Sequence, residues 1–287
     1  MSERSERLMK RRPSTVSRRL PLVWLALHRR RRMLFGLLLG MVVFETLIVV
    51  ITSTVPPGEL FGARRTPPGA FKAFSGSNGD VSIASYPGLL GAGLTHPFWI
   101  ALQLTVIGSL GAAAVAADVE SGTIELLMTR PLSRRRLLAE RTGALVAASV
   151  LLSAAATLTI ALGVAASPAL RAAVPEGGVF VAGLMGCALA FSLTGPVLAV
   201  SAFTRRRAYV IGAAVAFGAV GFALNFVALA WSPAAPLRYV SPFHYYTPGD
   251  VLAHGGVPWA SFGVLMAVGA VGLLAAFRLL ERRDLAI

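Results

Sequence analysis

The sequence is short of almost everything a soluble enzyme uses. It holds one cysteine, Cys187, so no intrachain disulfide forms and no thiol-rich metal site is available. Its four histidines, His28, His96, His244 and His254, include no short-spaced pair, which argues against a zinc site. Lysine occurs only as Lys10 and Lys72, and neither completes the glycine-rich phosphate loop of a nucleotide-binding domain. There is no His-Glu-x-x-His metal helix and no Gly-x-Ser-x-Gly nucleophile elbow. No repeat of roughly 20–50 residues is visible, which excludes a soluble repeat array. Charged residues make up only 14% of the 287 positions, too few to cover the surface of a soluble domain.

Apolar side chains supply 55% of the chain, and mean hydropathy is +0.70. A helix needs about 20 apolar residues to cross a bilayer. Six stretches qualify: 33–53, 98–117, 142–164, 178–202, 209–231 and 260–280. The first follows a basic region, as a signal peptide would. Its length exceeds the roughly 7–15 residues of a signal core and no small-x-small site follows, so an uncleaved helix is expected. The fourth contains Gly195-Pro196, which predicts a bend. The fold class is therefore an all-α polytopic membrane protein. Residues 1–32 form a basic tail and 33–287 a six-helix transmembrane domain. Within the tail, residues 20–27 read LPLVWLAL between arginine clusters. That stretch is too short to span, Pro21 suits a helix start, and an interfacial helix is expected.

The net charge of +14 is arranged rather than scattered. Of the 27 basic residues, all but Arg64, Arg65, Lys72, Arg171 and Arg238 fall in the tail, in the second and fourth connections or at the C-terminal end. The positive-inside rule then places both termini and those connections in the cytoplasm, in the bacterial inner membrane, and six spans satisfy the alternation. Basic clusters beside apolar spans fit anionic lipid headgroups and not nucleic acid. The outside connection 54–97 is rich in Pro, Gly and Ser and reads as a flexible loop. The last one, 232–259, is dense in aromatics (Tyr239, Phe243, Tyr245, Tyr246) and reads as a structured external cap or a re-entrant segment.

The second connection, residues 118–141, reads DVESGTIELLMTRPLSRRRLLAER. It is too long and too patterned for a turn. Ser121 or Thr123 suits a helix start, Ile124, Leu127 and Met128 offer an apolar patch, and Pro131 stops the helix after Arg130. Ser133 then suits the N-cap of a cytoplasmic extension of the third span. The expected product is a short helix lying across the membrane surface, a rigid lever held by a helix on each side.

This segment resembles the cytoplasmic signature of ABC-2 type transporter permeases. The match runs through Glu120, Gly122, Thr123, Glu125, Leu126, Leu127, Pro131, Leu132, Ser133, Arg134 and Arg141. Arginine stands at 141 where the family more often has lysine. Residues 277–285, FRLLERRDL, are similar to the family's ending, and 239–246, YVSPFHYY, to its last external loop. The resemblance implies a subunit that pairs with a second permease subunit, as a homodimer or heterodimer, and docks a separately encoded ATPase, two copies per transporter. ATP and Mg would be bound by that ATPase and no cofactor by this chain. Residues 118–141 would be the coupling helix, with Glu120, Thr123, Glu125 and Arg130 facing the ATPase, Leu127 and Met128 in its groove, and Gly122 and Pro131 shaping the turn. Export of a hydrophobic or amphipathic substrate is the function implied.

Three polar residues stand inside the spans. A carboxylate at mid-membrane, Glu45, costs roughly 2.5–3.5 kcal/mol. The Leu, Ile, Val and Phe of the same span each return roughly 0.5 kcal/mol, so the helix inserts. Glu45 must face protein or a wet cavity, either as a substrate- or ion-facing carboxylate or bonded to Gln103 or another helix. Gln103 and Asn225 are candidates for the same substrate or ion pathway, Asn225 a weaker one that more often reads as interhelical glue. Small residues in the third span (Ala144, Ala148, Ser149, Ser153) and the fifth (Gly212, Ala216, Gly218, Gly221) point to close packing within the subunit or to a dimer seam. A secondary transporter would carry more paired intramembrane charges, and a membrane scaffold would not need the lever segment.

Overall fold

The computed structural model describes residues 21–56, 59, 77–78, 81–124 and 133–283. Among these the chain is helical, without a strand. Six helical segments are long and apolar enough to cross a membrane: Arg31–Thr54, Tyr86–Ala112, Arg134–Ala166, Gly178–Phe203, Arg207–Ala230 and Trp259–Arg282. Helices are what such a sequence must form, because hydrocarbon offers no partner to an open backbone N–H or C=O.

In chain order the helices are α1 (Pro21–Arg29), α2 (Arg31–Thr54), α3 (Tyr86–Thr95), α4 (Pro97–Ala112), α5 (Ala116–Glu120), α6 (Arg134–Ala166), α7 (Pro168–Ala173), α8 (Gly178–Phe203), α9 (Arg207–Ala230), α10 (Pro248–His254) and α11 (Trp259–Arg282). Two 3-10 helices, Ser232–Val240 and Pro242–Tyr245, lie between α9 and α10.

Two span boundaries differ from the sequence expectation. The second span begins at Tyr86, not near 98, and is built from two helices. Ser85 starts α3 by accepting the Gly88 amide at 3.2 Å. Pro97 then forces His96 out of the helical region (φ −62°, ψ 139°). His96 Nδ1 accepts the Phe98 amide at 3.1 Å and starts α4. The glycines Gly88, Gly91 and Gly93 hid α3 from a hydropathy reading; they are buried, and their lack of side chains is what lets α3 pack. The helix of the third span also begins ahead of 142, at Arg134, as the N-cap expected at Ser133 implies: Ser133 Oγ accepts the Arg136 amide at 3.2 Å. The interfacial element expected over 20–27 is α1, opened by Pro21.

Helix α8 sits at the centre: 67% of its most apolar window is buried, against 22% for α2 and α9 and 17% for α11. Lipid tails give helices no hydrophobic reason to associate, so close approach of small residues must supply the contact. The seam between α8 and α11 shows this. A Cβ on Gly195 would stand 2.1 Å from the Gly269 carbonyl oxygen, and one on Gly272 would stand 2.4 Å from the Gly195 carbonyl carbon. The dipeptide Gly195-Pro196 is thus where α11 lies backbone on backbone. Similar approaches join α6 to α8 (Gly183 against Thr157) and α2 to α6 (Gly163 against Val49). The small residues of the third span are buried in this interior, whereas Gly212 and Ala216 of the fifth span are exposed.

The segment 231–254 closes one end of the bundle. Ser241 Oγ donates to the Gly221 carbonyl at 2.7 Å, and Phe243 packs on Gly221. Asn78 Nδ2 donates to the His244 carbonyl at 3.2 Å, and the Asn78 amide donates to Asp250 at 3.3 Å. The arginine clusters gather at the other end.

Gly195→Ala is expected to lower stability, toward the upper end of the roughly 1–3 kcal/mol that overpacking costs. Gly212→Ala, with nothing within 4 Å of its new methyl, should be neutral or gain up to about 1 kcal/mol of helix propensity. Thermal unfolding of the two variants in detergent, side by side, checks the contrast.

Candidate functional site

At the arginine end, helix ends converge and the side chains satisfy what those ends leave open. The last carbonyls of a helix have no intrahelical donor. Arg134, at the start of α6, donates to the Leu280, Glu281 and Arg283 carbonyls at 3.3, 3.4 and 2.6 Å, which closes the end of α11. Arg283 in turn donates to the Ala202 and Thr204 carbonyls at 2.9 and 3.1 Å, which closes α8. Burial and, after it, the charge of Arg205 lower the Arg283 pKa from its ordinary value. Arg135 pairs with Glu281. Glu140 accepts from Arg136 at 2.9 Å and from the Leu22 amide at 3.0 Å, so it caps α1 and pins it to α6.

The expected coupling segment enters this assembly from α4. The Ala116 amide, first in α5, donates to Ser201 Oγ of α8 at 3.3 Å. Asp118 accepts from Arg141 of α6 at 2.9 Å, and Arg141 also donates to the Ala113 carbonyl just past α4. Glu120 accepts the amide of Arg207, the first residue of α9, at 2.8 Å. A carboxylate belongs there, where a helix start presents open N–H groups and the positive end of its dipole. Gly122 ends α5 at φ +70°, in the left-handed region that costs an L side chain roughly 1–2 kcal/mol. Thr123 Oγ1 lies 2.9 Å from Ser121 Oγ and 3.4 Å from Asp118 Oδ1. The Glu-x-Gly-Thr order therefore has a local reason at each place: a cap for α9, a stop for α5 and a tie back to Asp118.

Glu120, Gly122 and Thr123 are thus brought together, and Glu120 and Thr123 are exposed besides their internal bonds. Glu125, Leu127, Met128, Arg130 and Pro131 lie outside the described residues. Sequence reasoning did not assign Asp118, Glu140 or Arg283 to this assembly. Their signal is positional: each stands within two turns of a helix end.

A second polar group lies inside the bundle. Glu45 is fully buried on α2, with its carboxylate against α3, where a Cβ on Gly93 would meet Oε2 at 3.2 Å. Neither of its oxygens has a hydrogen-bond partner. The bond to Gln103 weighed from sequence is not made. Gln103 turns to α6 and donates to Ser153 Oγ at 2.9 Å, while its Oε1 has no partner. Above them Trp99 stacks on Tyr246, with ring centroids 5.8 Å apart, and the Tyr246 hydroxyl donates to the Leu94 carbonyl at 3.3 Å. Burial first, then the nearby Glu45 and Cys187, push the Tyr246 phenol well above its ordinary range. Glu45, Cys187 and Tyr246 are therefore electrostatic neighbours. Asn225 does not reach Glu45 or Gln103. It lines a void of about 10 Å3 beneath the cap with Thr95 and Tyr246.

Residues 28–285 match the sequence profile of the ABC-2 family transporter proteins, so the match covers all six spans, residues 118–141 and the described C-terminal end. The chain belongs to that family. Comparison with curated proteins returned no match. The permease is a multi-pass membrane protein, and permeases of this family pair with ABC ATPase subunits.

Gly122→Ala should speed hydrogen exchange of the α5 amides while leaving those of α6 and α8 unchanged, because the strain is local. Asp118→Asn and Arg141→Gln should be non-additive, with a coupling of about 0.5–3 kcal/mol in a double-mutant cycle of thermal unfolding.

Proposed function

We propose that the permease is the transmembrane subunit of an ATP-driven exporter, worked from the cytoplasm through residues 118–141. One observation carries this reading. Residues 113–120, which lead into and begin that segment, are bonded to three other helices at once: α6 through Ala113 and Asp118 on Arg141, α8 through the Ala116 amide on Ser201, and α9 through Glu120 on the Arg207 amide. A push on an element tethered in this way is delivered to the ends of those helices.

ATP and its Mg ion would be held by the partner ATPase. Its closure on ATP would move two such levers, one in each permease subunit, and shift the paired subunits from inward-facing to outward-facing; hydrolysis would reset them. The exposed apolar faces of α2, α9 and α11, with Phe35, Val215 and Val271 among the residues presented, supply area for lipid and for the second permease subunit. The buried group around Glu45 and Gln103 sits on the side of these helices that faces the other spans, so a polar portion of an amphipathic cargo, or a coupled ion, has buried acceptors to meet there.

Glu125→Lys is expected to abolish co-purification of the ATPase while the permease still inserts and elutes as a single species. Retention of the ATPase, together with unchanged transport-linked ATP turnover, would refute the reading. Orientation has its own test. With Cys187→Ser as background, Ser121→Cys should react with a membrane-impermeant maleimide from the cytoplasmic side only, and Leu237→Cys from the outer side only.

A further inference from the structure

A cavity of about 370 Å3 opens at the arginine end, between α1 and the junction of α4, α5 and α6. One wall is apolar: Leu22, Leu25 and Ala26 of α1. The other holds the guanidinium groups of Arg29, Arg30 and Arg141, with Asp118 the one acidic residue in the lining. Asp118 is already committed to Arg141 at 2.9 Å. Among the described residues neither Arg29 nor Arg30 has an ion-pair partner, and Arg30 is bonded to the Ser109 hydroxyl. The other nearby carboxylates are occupied as well, Glu140 by Arg136 and the Leu22 amide, and Glu120 by the Arg207 amide.

Positive charge is therefore in surplus, and it is crowded. Arg30 is half-buried, and its pKa is lowered by burial first and then by the repulsion of Arg141 and Arg207. Guanidinium groups held together against their own repulsion gain most from a multivalent oxyanion, which their planar donor arrays suit.

The position of the cavity says what that anion is attached to. Helix α2 begins at Arg31, and its 24 residues span roughly 36 Å, enough to cross a hydrocarbon core of about 30 Å. Arg29 and Arg30 therefore stand where the first span leaves the hydrocarbon. Helix α1 lies beside them with Trp24 60% exposed and stacked on His28, the arrangement of an interfacial anchor. An apolar wall next to guanidinium groups at that depth fits a molecule with a phosphate and a hydrocarbon tail. A free phosphate would use only half of the site.

We propose that this cavity binds the phosphate of an anionic membrane lipid, held by Arg29, Arg30 and Arg141, with the glycerol and upper acyl chain along Leu22, Leu25 and Ala26. The lipid would join α1 to the base of the coupling segment, so the occupancy of the site would stiffen that corner of the bundle. The proposal stands on the cavity and its charge, independently of whether the permease exports anything.

The test uses the purified full-length permease in a neutral detergent, titrated with short-chain phosphatidylglycerol, short-chain phosphatidylcholine and inorganic phosphate. Binding is read by native mass spectrometry and by the shift in melting temperature. Phosphatidylglycerol should bind and raise the melting temperature, more weakly as salt is added, and the other two should do neither. Arg29→Gln, an exposed position, should weaken phosphatidylglycerol at least tenfold without changing the melting temperature of the lipid-free protein. Ala26→Phe, which fills the cavity from α1 and leaves every arginine in place, should do the same. Exposed Arg32, outside the lining, serves as control, and Arg32→Gln should bind as the parent does. Equal binding of phosphatidylcholine, equal binding of inorganic phosphate, or unchanged affinity in both Arg29→Gln and Ala26→Phe would each overturn the assignment.

Discussion

A helix that crosses a bilayer satisfies its own backbone everywhere except at its ends, and the organisation of this permease follows from how those ends are closed. At the arginine end the open carbonyls of one helix are met by a guanidinium carried on another: Arg134 of α6 on α11, Arg283 beyond α11 on α8, Arg141 of α6 on the carbonyl after α4. The open amides are met by carboxylates in the same crossed fashion, Glu140 on α1 and Glu120 on α9. Each bond removes an unsatisfied group and fixes the relative position of two helices. Arginines from the clusters on which the expected orientation rests thus also assemble the basal end.

The interior is held differently. Between apolar helices in lipid, the gain comes from how near two backbones come, and glycine sets that limit. The α8–α11 seam through Gly195, Gly269 and Gly272 is a contact of backbone against backbone, and it leaves the opposite face of α11 bare. A bundle built this way is tightly joined at its centre and carries large apolar faces outward, as a subunit surrounded by lipid requires. The proposed coupling segment enters beside Ser201 of α8 and the start of α9.

Against this background the buried polar group around Glu45 stands apart. The helix ends closed by Arg134, Arg141, Arg283, Glu120 and Glu140 have found partners, yet the Glu45 carboxylate and the Gln103 carbonyl oxygen, both buried in the bundle, have none. Burying such groups costs free energy that packing elsewhere offsets. The proposed role of this group toward cargo or a coupled ion rests on that cost.

The sequence by itself determined the number of spans, the side on which the arginines collect, the helix start at Ser133 and the family. All of these are properties of a segment against its solvent, or of residues a few positions apart, and both are written along the chain. Gly122 belongs here too, because a left-handed stop after one helical turn is a local demand. Only the tertiary structure decided that Glu120 caps α9, that Gln103 turns to Ser153 and away from Glu45, that glycine-rich 86–95 is a helix, and that the seam of backbone on backbone runs between the fourth and sixth spans. Each of these depends on which two surfaces meet. Hydropathy ranks a residue against water or lipid and is silent about its neighbour, so a glycine that admits another backbone and a glycine that faces open space, such as Gly195 and Gly212, look alike until the helices are placed side by side.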